Sequence, residues 1–158
     1  MDTVEKSVRV LIKRKSRYAL RALLELAKRA GQGPVKVGEI ARAQAIPTRF
    51  LEAILGQLKQ GGFVDSKRGK EGGYILVRPP EELTVGEVLR FIQGPLEPVE
   101  CLGKAPRERC PLRENCVFMS MWEEARRAVS KVYDSATFRE LAEKESCRRG
   151  SMANNYAI

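Results

Sequence analysis

Three cysteines with the chemistry of metal ligands stand close together in the second half of the 158-residue chain. Cys101, Cys110 and Cys116 follow the spacing Cys-x8-Cys-x5-Cys, so all three fall within 16 residues. Thiolates in such a segment can hold a soft metal ion or an iron–sulfur cluster. Zinc fits poorly, because the Cys-x2-Cys pair of structural zinc sites is missing. The spacing leaves two interpretations open: thiolate ligands, or three free or disulfide-forming thiols.

The absence of histidine from the chain narrows the chemistry further. Histidine-based triads, histidine metal ligands and the commonest general base are excluded. There is no nucleotide-binding motif either, so the sequence does not predict an enzyme. Cys147, the fourth cysteine, stands 31 residues beyond Cys116 and outside the cysteine-rich segment.

The first residues and the hydropathy of the chain predict a cytoplasmic protein that does not span a membrane. The opening segment MDTVEKSVRV lacks the apolar stretch of a signal peptide. No run reaches the roughly 18 apolar residues of a membrane span. In the cytoplasm, cysteines are more often metal ligands or reactive thiols than structural disulfides.

Positive charge is concentrated in the first half of the chain. The net charge is +9, but residues 1–80 carry 17 Lys and Arg against 7 Asp and Glu, a net charge of +10. Residues 81–158 carry 12 against 13, a net charge of −1. A basic half beside a neutral half is typical of a module that binds a polyanion. Composition alone does not separate nucleic acid from an anionic membrane, or either from a solvated charged surface.

The pattern of the first half predicts three helices followed by a basic hairpin. A first helix contains RYALRALLELA and ends near Gly31, and VKVGEIARAQAI predicts a second. A third begins at Pro47 and ends at Gly61-Gly62, with an apolar face of Phe50, Leu51, Ile54, Leu55 and Leu58. Two short strands, FVDS and YILV, flank the turn KRGKEGG. This order predicts a winged helix-turn-helix over residues 12–80, a fold that also serves as a protein-interaction module.

The third helix carries the residues expected to read DNA. In a helix-turn-helix, the N-terminal residues of this helix face base edges in the major groove, and here they are Thr48, Arg49 and Glu52. Arginine pairs with guanine, and glutamate accepts a hydrogen bond from the cytosine amino group. Pairing of Glu52 with a neighbouring basic side chain is the alternative.

Two further basic groups are expected to contact the duplex. The wing carries Lys67, Arg68 and Lys70, and Arg68 is placed to enter a minor groove. Lys15 and Arg17, at the start of the first helix, are expected to contact phosphates without reading sequence.

The second half predicts a linking helix, a cysteine loop and a long helix. The capping box Thr84-x-x-Glu87 begins the linking helix, within residues 81–98. The cysteine loop occupies residues 99–117, and a dimerisation helix with its following segment occupies residues 118–142. That helix has an apolar stripe, which predicts a homodimer or a helix folded back on its own domain: Trp122, Ala125, Val129, Val132 and Ala136.

The remaining segments lie at the two ends of the chain. Residues 1–11 form an N-terminal extension, and residues 143–158, which show no apolar periodicity, are expected to form a flexible tail. The predicted fold class is mainly α with a small β-hairpin: a winged helix-turn-helix domain plus a long C-terminal dimerisation helix.

These segments resemble the Rrf-two family of bacterial transcription regulators. The resemblance rests on KSRYALRALLELA, IPTRFLEAILGQLKQGGFVDSKRGKEGGYIL, LTVGEVLRFIQGP and the three cysteines before a long helix, over about Leu11 to Leu141. The cysteines resemble those of the cluster-binding branch, which includes regulators that sense cluster status, nitric oxide or iron. The resemblance implies a homodimer, a double-stranded DNA operator, and a [2Fe-2S] or [4Fe-4S] cluster held by Cys101, Cys110 and Cys116. It also implies that Thr48, Arg49 and Glu52 lie on the reading helix and Arg68 in the wing.

The chain departs from the family at two ligand positions. Met119 stands where one group of these regulators has a histidine, and Arg17 stands where another has an aspartate. Candidates for the fourth ligand are Cys147, Glu100, an external thiol or an open iron site. The expected function is a DNA-binding transcription regulator whose operator affinity is controlled by an iron–sulfur cluster. A metal-free thiol/disulfide redox-sensing regulator is the alternative.

Overall fold

The computed structural model describes residues 12–103 and 110–155, and within them the chain forms six α-helices and one antiparallel hairpin. The predicted mainly-α fold class with its winged helix is confirmed, whereas the predicted N-terminal extension lies outside the described residues. In these ranges no helix combines the length and apolarity needed to cross a bilayer. The elements are α1 (Arg14–Lys28), α2 (Val37–Gln44), α3 (Thr48–Gln60), β1 (Val64–Lys67), β2 (Gly73–Leu76), α4 (Val85–Gln93), α5 (Met119–Ser135) and α6 (Phe138–Asn155).

Helix α1 lies at the centre of one apolar core. It contacts α2, α3, α4, α6 and β2. Ala19, Ala22 and Leu23 are completely buried, and the two alanines allow neighbouring elements to approach its axis closely. The core continues beyond residue 80 into α4 and α6, so these two helices share the hydrophobic interior of the winged helix. Its fully buried larger side chains include Leu23, Ile40, Leu51, Leu55, Leu58, Leu83, Val88, Leu89 and Phe138.

Helix α3 buries a narrower face than the sequence predicts. Leu51, Ile54, Leu55 and Leu58 are buried, following the i, i+3, i+4, i+7 spacing of one helix face. Phe50, which was assigned to the same face, is 61% exposed, and that assignment is wrong. The physical reason is its position one residue, or about 100°, before the start of the buried stripe.

A buried carboxylate joins α1 to α2. Glu25 is 2% exposed, and its carboxylate accepts hydrogen bonds from Lys28 Nζ at 3.0 Å, Arg29 Nε at 2.9 Å and Gln44 Nε2 at 2.9 Å. Arg29 also pairs with Glu39 of α2 at 2.7 Å. Burial raises the pKa of Glu25, but the hydrogen bond from Gln44 and the bonds and positive charge of Lys28 outweigh it. The pKa of Glu25 is therefore lowered.

The hairpin is tied to the segment before α2. Val64 lies opposite Leu76, and Lys67 lies opposite Gly73. Val35 exchanges two backbone hydrogen bonds with Tyr74, both 2.9 Å long. A Cβ at Gly73 would collide with the carbonyl group of Val35, so this close approach requires glycine. The wing is thus fixed at its base to the helix-turn-helix.

Helix α4 begins at the predicted capping box, which the structure confirms. The backbone N–H of Glu87 donates to Thr84 Oγ1, and the backbone N–H of Thr84 donates to Glu87 Oε2. Arg90 of α4 donates from its two terminal guanidinium nitrogens to the carboxylate of Asp134 of α5, at 2.5 and 2.9 Å. A Cβ at Gly86 would collide with the Asp134 carboxylate, so glycine allows the two helices to approach here.

The C-terminal segment is helical where the sequence predicts a flexible tail. Helix α6 runs over Phe138–Asn155, packs against α1, and places Phe138 and Ala142 in the core. The prediction of a tail from residue 143 is wrong as far as Asn155. Apolar periodicity stops after Ala142, but the helix continues through good helix formers and the i,i+4 pairs Arg139–Glu143 and Arg149–Glu145.

Replacing Glu25 by glutamine should lower the free energy of unfolding by about 1–3 kcal/mol at neutral pH, because charge-assisted hydrogen bonds to a buried carboxylate are lost. The folded-state pKa of Glu25 lies below its ordinary value of 4.5, so its contribution is present above that pH and disappears as the pH falls through the lowered pKa. Urea denaturation over a pH series measures the effect. The curves of the two proteins should converge in acid.

The matched control is Glu39→Gln, because the Glu39 side chain is 46% exposed and its pair with Arg29 lies at the surface. This substitution should cost less than about 1 kcal/mol. A Glu25→Gln penalty that is the same at every pH would contradict the assigned role of the carboxylate.

Candidate functional site

The turn between α2 and α3 fixes where the reading helix begins. Ala45 has φ 50° and ψ 45°, a left-handed conformation that costs a non-glycine residue roughly 1–2 kcal/mol. The next residue, Ile46, is 3% exposed, and its N–H donates to the carbonyl of Ala41 at 2.9 Å. Burial of Ile46 and this hydrogen bond hold the strained turn, so α3 leaves it in a defined direction.

The predicted reading residues lie on the open side of α3. Thr48, Arg49 and Glu52 are all exposed, while the opposite face of the helix is buried in the core. Among the described residues, neither Arg49 nor Glu52 forms a salt bridge with a side chain of the protein. The alternative that Glu52 pairs with a neighbouring basic residue therefore finds no support in this part of the chain.

The basic residues of the wing are also exposed. Lys67, Arg68 and Lys70 lie at the end of β1 and in the following turn. The turn is closed by a hydrogen bond from Gly72 N–H to the carbonyl of Gly69 at 3.0 Å. Gly69 has φ 110°, a conformation that favours glycine, and it stands directly between two of the basic residues.

The start of α1 is tied to the end of α4 through one amide oxygen. Gln93 Oε1 accepts hydrogen bonds from Ser16 Oγ at 2.8 Å and from the backbone N–H of Lys13 at 3.3 Å. Ser16 is completely buried, whereas the predicted phosphate contacts Lys15 and Arg17 on either side of it are exposed. Sequence analysis missed Gln93, because no periodic pattern marks a single polar contact between distant segments.

The cysteine loop leaves its thiols accessible. Cys110 is exposed, and Cys101 and Cys116 are partly buried. The carbonyls of Cys110 and Cys116 accept hydrogen bonds from the N–H groups of Arg113 and Met119, each at 3.1 Å. Cys116 thus lies three residues before the start of α5, whereas residues 104–109 lie outside the described residues.

An open pocket of about 770 Å³ adjoins Cys110. Arg113 and Arg126 contribute positive charge to its wall, Glu114 and Glu123 contribute negative charge, and Met119, one of the two changed ligand positions, is also part of the lining. The other changed position, Arg17, lies in α1.

An iron–sulfur cluster matches the donor types of this loop but not the described arrangement. Three thiols are suitable cluster ligands, and no histidine is available to replace one. Among the described residues, however, no three Cys, Asp or Glu side chains are gathered so as to hold a metal ion. The arrangement in the described ranges therefore does not fit a bound cluster.

Cys147 lies on α6, away from the point where the chain enters the cysteine loop. Two residues before it, Glu145 pairs with Lys28 at the C-terminal end of α1 at 2.9 Å. The loop follows Gln93, which is bonded to Ser16 at the opposite end of α1. At about 1.5 Å per residue, Ser16 and Lys28 are roughly 18 Å apart along the helix axis. Cys147 and the end of α4, six residues before the cysteine loop, therefore lie near opposite ends of α1.

Comparison with known proteins places this fold among transcriptional regulators. Residues 12–144 match the model of the Rrf2 family, described as "Iron-dependent Transcriptional regulator". The chain is 36% identical to the HTH-type transcriptional regulator CymR of Bacillus subtilis, over 83% of this chain and 88% of that protein. It is 32% identical to the HTH-type transcriptional regulator IscR of Sodalis glossinidius, over 83% of this chain and 78% of that protein.

Solved structures give the same result. The structure of CymR, titled the global cysteine regulator of B. subtilis, superposes with a TM-score of 0.70 at 34% identity, covering 85% of this chain and 97% of that chain. T. potens IscR superposes with a TM-score of 0.68 at 30% identity, covering 87% and 90%. These relatives are regulators and not enzymes, in agreement with the sequence analysis.

Proposed function

The chain belongs to the Rrf2 (Rrf-two) family of transcriptional regulators, and we propose that it binds a double-stranded DNA operator as a homodimer, with chemistry at its cysteine loop controlling the affinity. The proposal rests mainly on which residues of the proposed reading helix, α3, are exposed and which are buried. Its N-terminal residues Thr48, Arg49 and Glu52 are exposed, while four residues on its opposite face are buried in the core. The net charge of +10 in residues 1–80 supports phosphate contacts and counterion release on binding.

Each predicted contact has a distinct role in the proposed complex. Arg49 and Glu52 read base edges in the major groove, and Arg68 enters a minor groove beside the wing. Lys67 and Lys70 flank that arginine, and Lys15 and Arg17 of α1 contact phosphates, which sets the position of the protein on the duplex without selecting its sequence.

The homodimer is supported by the exposed face of α5. No described residue of this helix is buried, although it has 17 residues. Met121 is 48% exposed and Val132 is 63% exposed, and with partly buried Ala125 they follow one face at i, i+4 and i+11. Trp122 and Val129 are already partly buried within the protomer. A second copy of α5 covering this face would place the two reading helices on one operator with two half-sites.

The proposed cofactor is an iron–sulfur cluster, and its proposed ligands are Cys101, Cys110 and Cys116. Support comes from the thiol donor set, from the match to a family described as iron-dependent, and from the resemblance to the cluster-binding branch. The proposal requires the cysteine loop to change arrangement, because the described residues do not gather the three thiols. The proposed signal is iron or cluster status, redox state or nitric oxide.

A metal-free thiol regulator is the second candidate function. It is favoured by the similarity to CymR, a cysteine regulator by its title, and by the separate, accessible cysteines of the described loop. In this case an oxidant would take two electrons and two protons from two of the thiols of Cys101, Cys110 and Cys116 to form one disulfide, and the change of loop conformation would alter operator affinity.

Substituting Arg49 by alanine should relax sequence preference at one base pair and weaken operator binding by about 1–3 kcal/mol, since a bidentate base contact is lost. Lys15→Ala should weaken all duplexes alike and reduce the salt dependence by about one unit, since one phosphate contact is lost. Fluorescence titrations against operator and random duplexes at several salt concentrations separate the two effects. Unchanged affinity and preference in Arg49→Ala would show that α3 is not the reading helix.

Substituting Val132 by aspartate should convert the dimer to a monomer, because an unpaired charge would be buried in the seam between two copies of α5. The side chain is 63% exposed in the protomer, so the fold of the protomer should be unaffected. Sedimentation equilibrium and circular dichroism measure the two properties. Arg127→Asp is the control, because Arg127 is exposed and lies about 140° around the helix from Val132. A dimeric Val132→Asp protein would exclude this interface.

Alanine at Cys101, Cys110 or Cys116 should abolish the visible absorbance, iron and acid-labile sulfide of protein purified without oxygen, because thiolates are the proposed cluster ligands. Cys147→Ala should retain them. A full iron and sulfide count in Cys110→Ala would exclude the three-cysteine site. Wild-type protein that is colourless, lacks iron and loses operator binding reversibly on oxidation would instead support the thiol regulator.

A further inference from the structure

Phe50 is an exposed aromatic residue on the third position of the reading helix. It is 61% exposed, although it directly precedes Leu51, which is completely buried. Phe50 therefore lies outside the hydrophobic core. The two residues before it, Thr48 and Arg49, are exposed and are among the residues proposed to contact DNA.

The environment of Phe50 differs from that of other exposed phenylalanines in the described residues. Phe91 is 39% exposed, but its ring lies against that of Phe63 with 5.1 Å between centroids. Phe118 is 57% exposed and directly precedes α5, where the proposed dimer seam begins. Phe50 instead lies within the basic half of the chain, in the first turn of α3. A polyanionic duplex is the partner that matches the charge around it.

We propose that Phe50 is a specificity-determining contact that selects thymine through the C5-methyl group in the major groove. The inference rests on the proposed function, and it adds a base preference that the polar residues of α3 do not provide. A phenyl ring neither donates nor accepts a conventional hydrogen bond, so it cannot distinguish bases by their polar edges. Among the unmodified bases, thymine alone presents a methyl group in this groove, and phenylalanine is one of the side chains suited to it.

The geometry also assigns different tasks to adjacent residues. Successive residues of a helix point about 100° apart, so Arg49 and Phe50 leave α3 in different directions. One side chain can pair with guanine while the other contacts a neighbouring thymine. Specificity would then be divided between a hydrogen-bonding contact and an apolar contact, and each can be removed separately.

The experiment uses the full chain, purified without oxygen, and an operator selected from a random duplex library. Each thymine of the operator is replaced in turn by uracil, which differs only in lacking the methyl group. Wild-type protein should lose about four-fold in affinity at one position of each half-site, the effect of one buried methyl-sized group. Phe50→Ala should bind the thymine operator more weakly and no longer distinguish it from the uracil operator.

Two further variants make the result specific. Phe50→Leu, which keeps an apolar side chain, should retain part of the thymine preference. Arg49→Ala should keep the full preference while losing its own base contact. A wild-type protein that binds the operator but ignores the methyl group at every position would overturn this inference alone, as would a Phe50→Ala protein that keeps the preference. Wild-type protein that binds no duplex sequence-specifically would overturn the proposed function, and this inference with it.

Discussion

The packing around α1 is the constraint on which the rest of the structure depends. Five elements contact this one helix, and they can do so because its most deeply buried positions include alanines as well as leucine. The helix-turn-helix, the wing and the C-terminal helix are consequently positioned by the same core. Larger side chains at Ala19 or Ala22 would displace several of these elements together, since protein interiors are closely packed and overpacking forces neighbouring groups to move. Packing against α1 thus fixes the exposed residues of α3 and of the wing relative to one another. Helix α1 itself contributes only its basic N-terminal turn to the proposed DNA surface.

Charged side chains have different roles in the interior and at the surface of this protein. The buried carboxylate of Glu25 is fully bonded, and it links α1 and α2 through Lys28, Arg29 and Gln44. The arginines and lysines proposed for DNA are exposed, and among the described residues they have no salt-bridge partners. Their charge is therefore available to a phosphate backbone without first breaking an internal ion pair. This division also explains why a net charge of +10 in residues 1–80 is compatible with a stable core.

Sequence reasoning predicted those parts of the fold in which one local rule dominates. The apolar periodicity of α1 to α3, the capping box at Thr84 and Glu87, and the glycine-rich wing are examples. Phe50 is apolar like the buried residues of α3, but its angle around the helix places it outside the buried stripe, so residue type alone predicts its burial wrongly. The continuation of α6 to Asn155 was missed because helix propensity and ion pairs, without apolar periodicity, extend that helix. Gln93 and the bridge between Val35 and Tyr74 depend on contacts between distant segments, for which one sequence contains no signal. For the cysteine loop, spacing predicts which thiols could act as donors but contains no information on how they are arranged.

The packing of the helices on either side of the cysteine loop has a consequence for ligand binding. The chain leaves α4 at Gln93, which is bonded to Ser16 and Lys13, shortly before the loop, and the loop leads into α5, whose C-terminal turn is joined to α4 by Arg90 and Asp134. If the flanking residues were free to move, binding a ligand would have to order those residues as well as the loop itself. Here the packed helices already hold the residues on either side of the loop, so a ligand that gathers the thiols has less conformational freedom to remove. Part of the entropic cost of closing the loop is therefore incurred when the protein folds and not when the ligand binds.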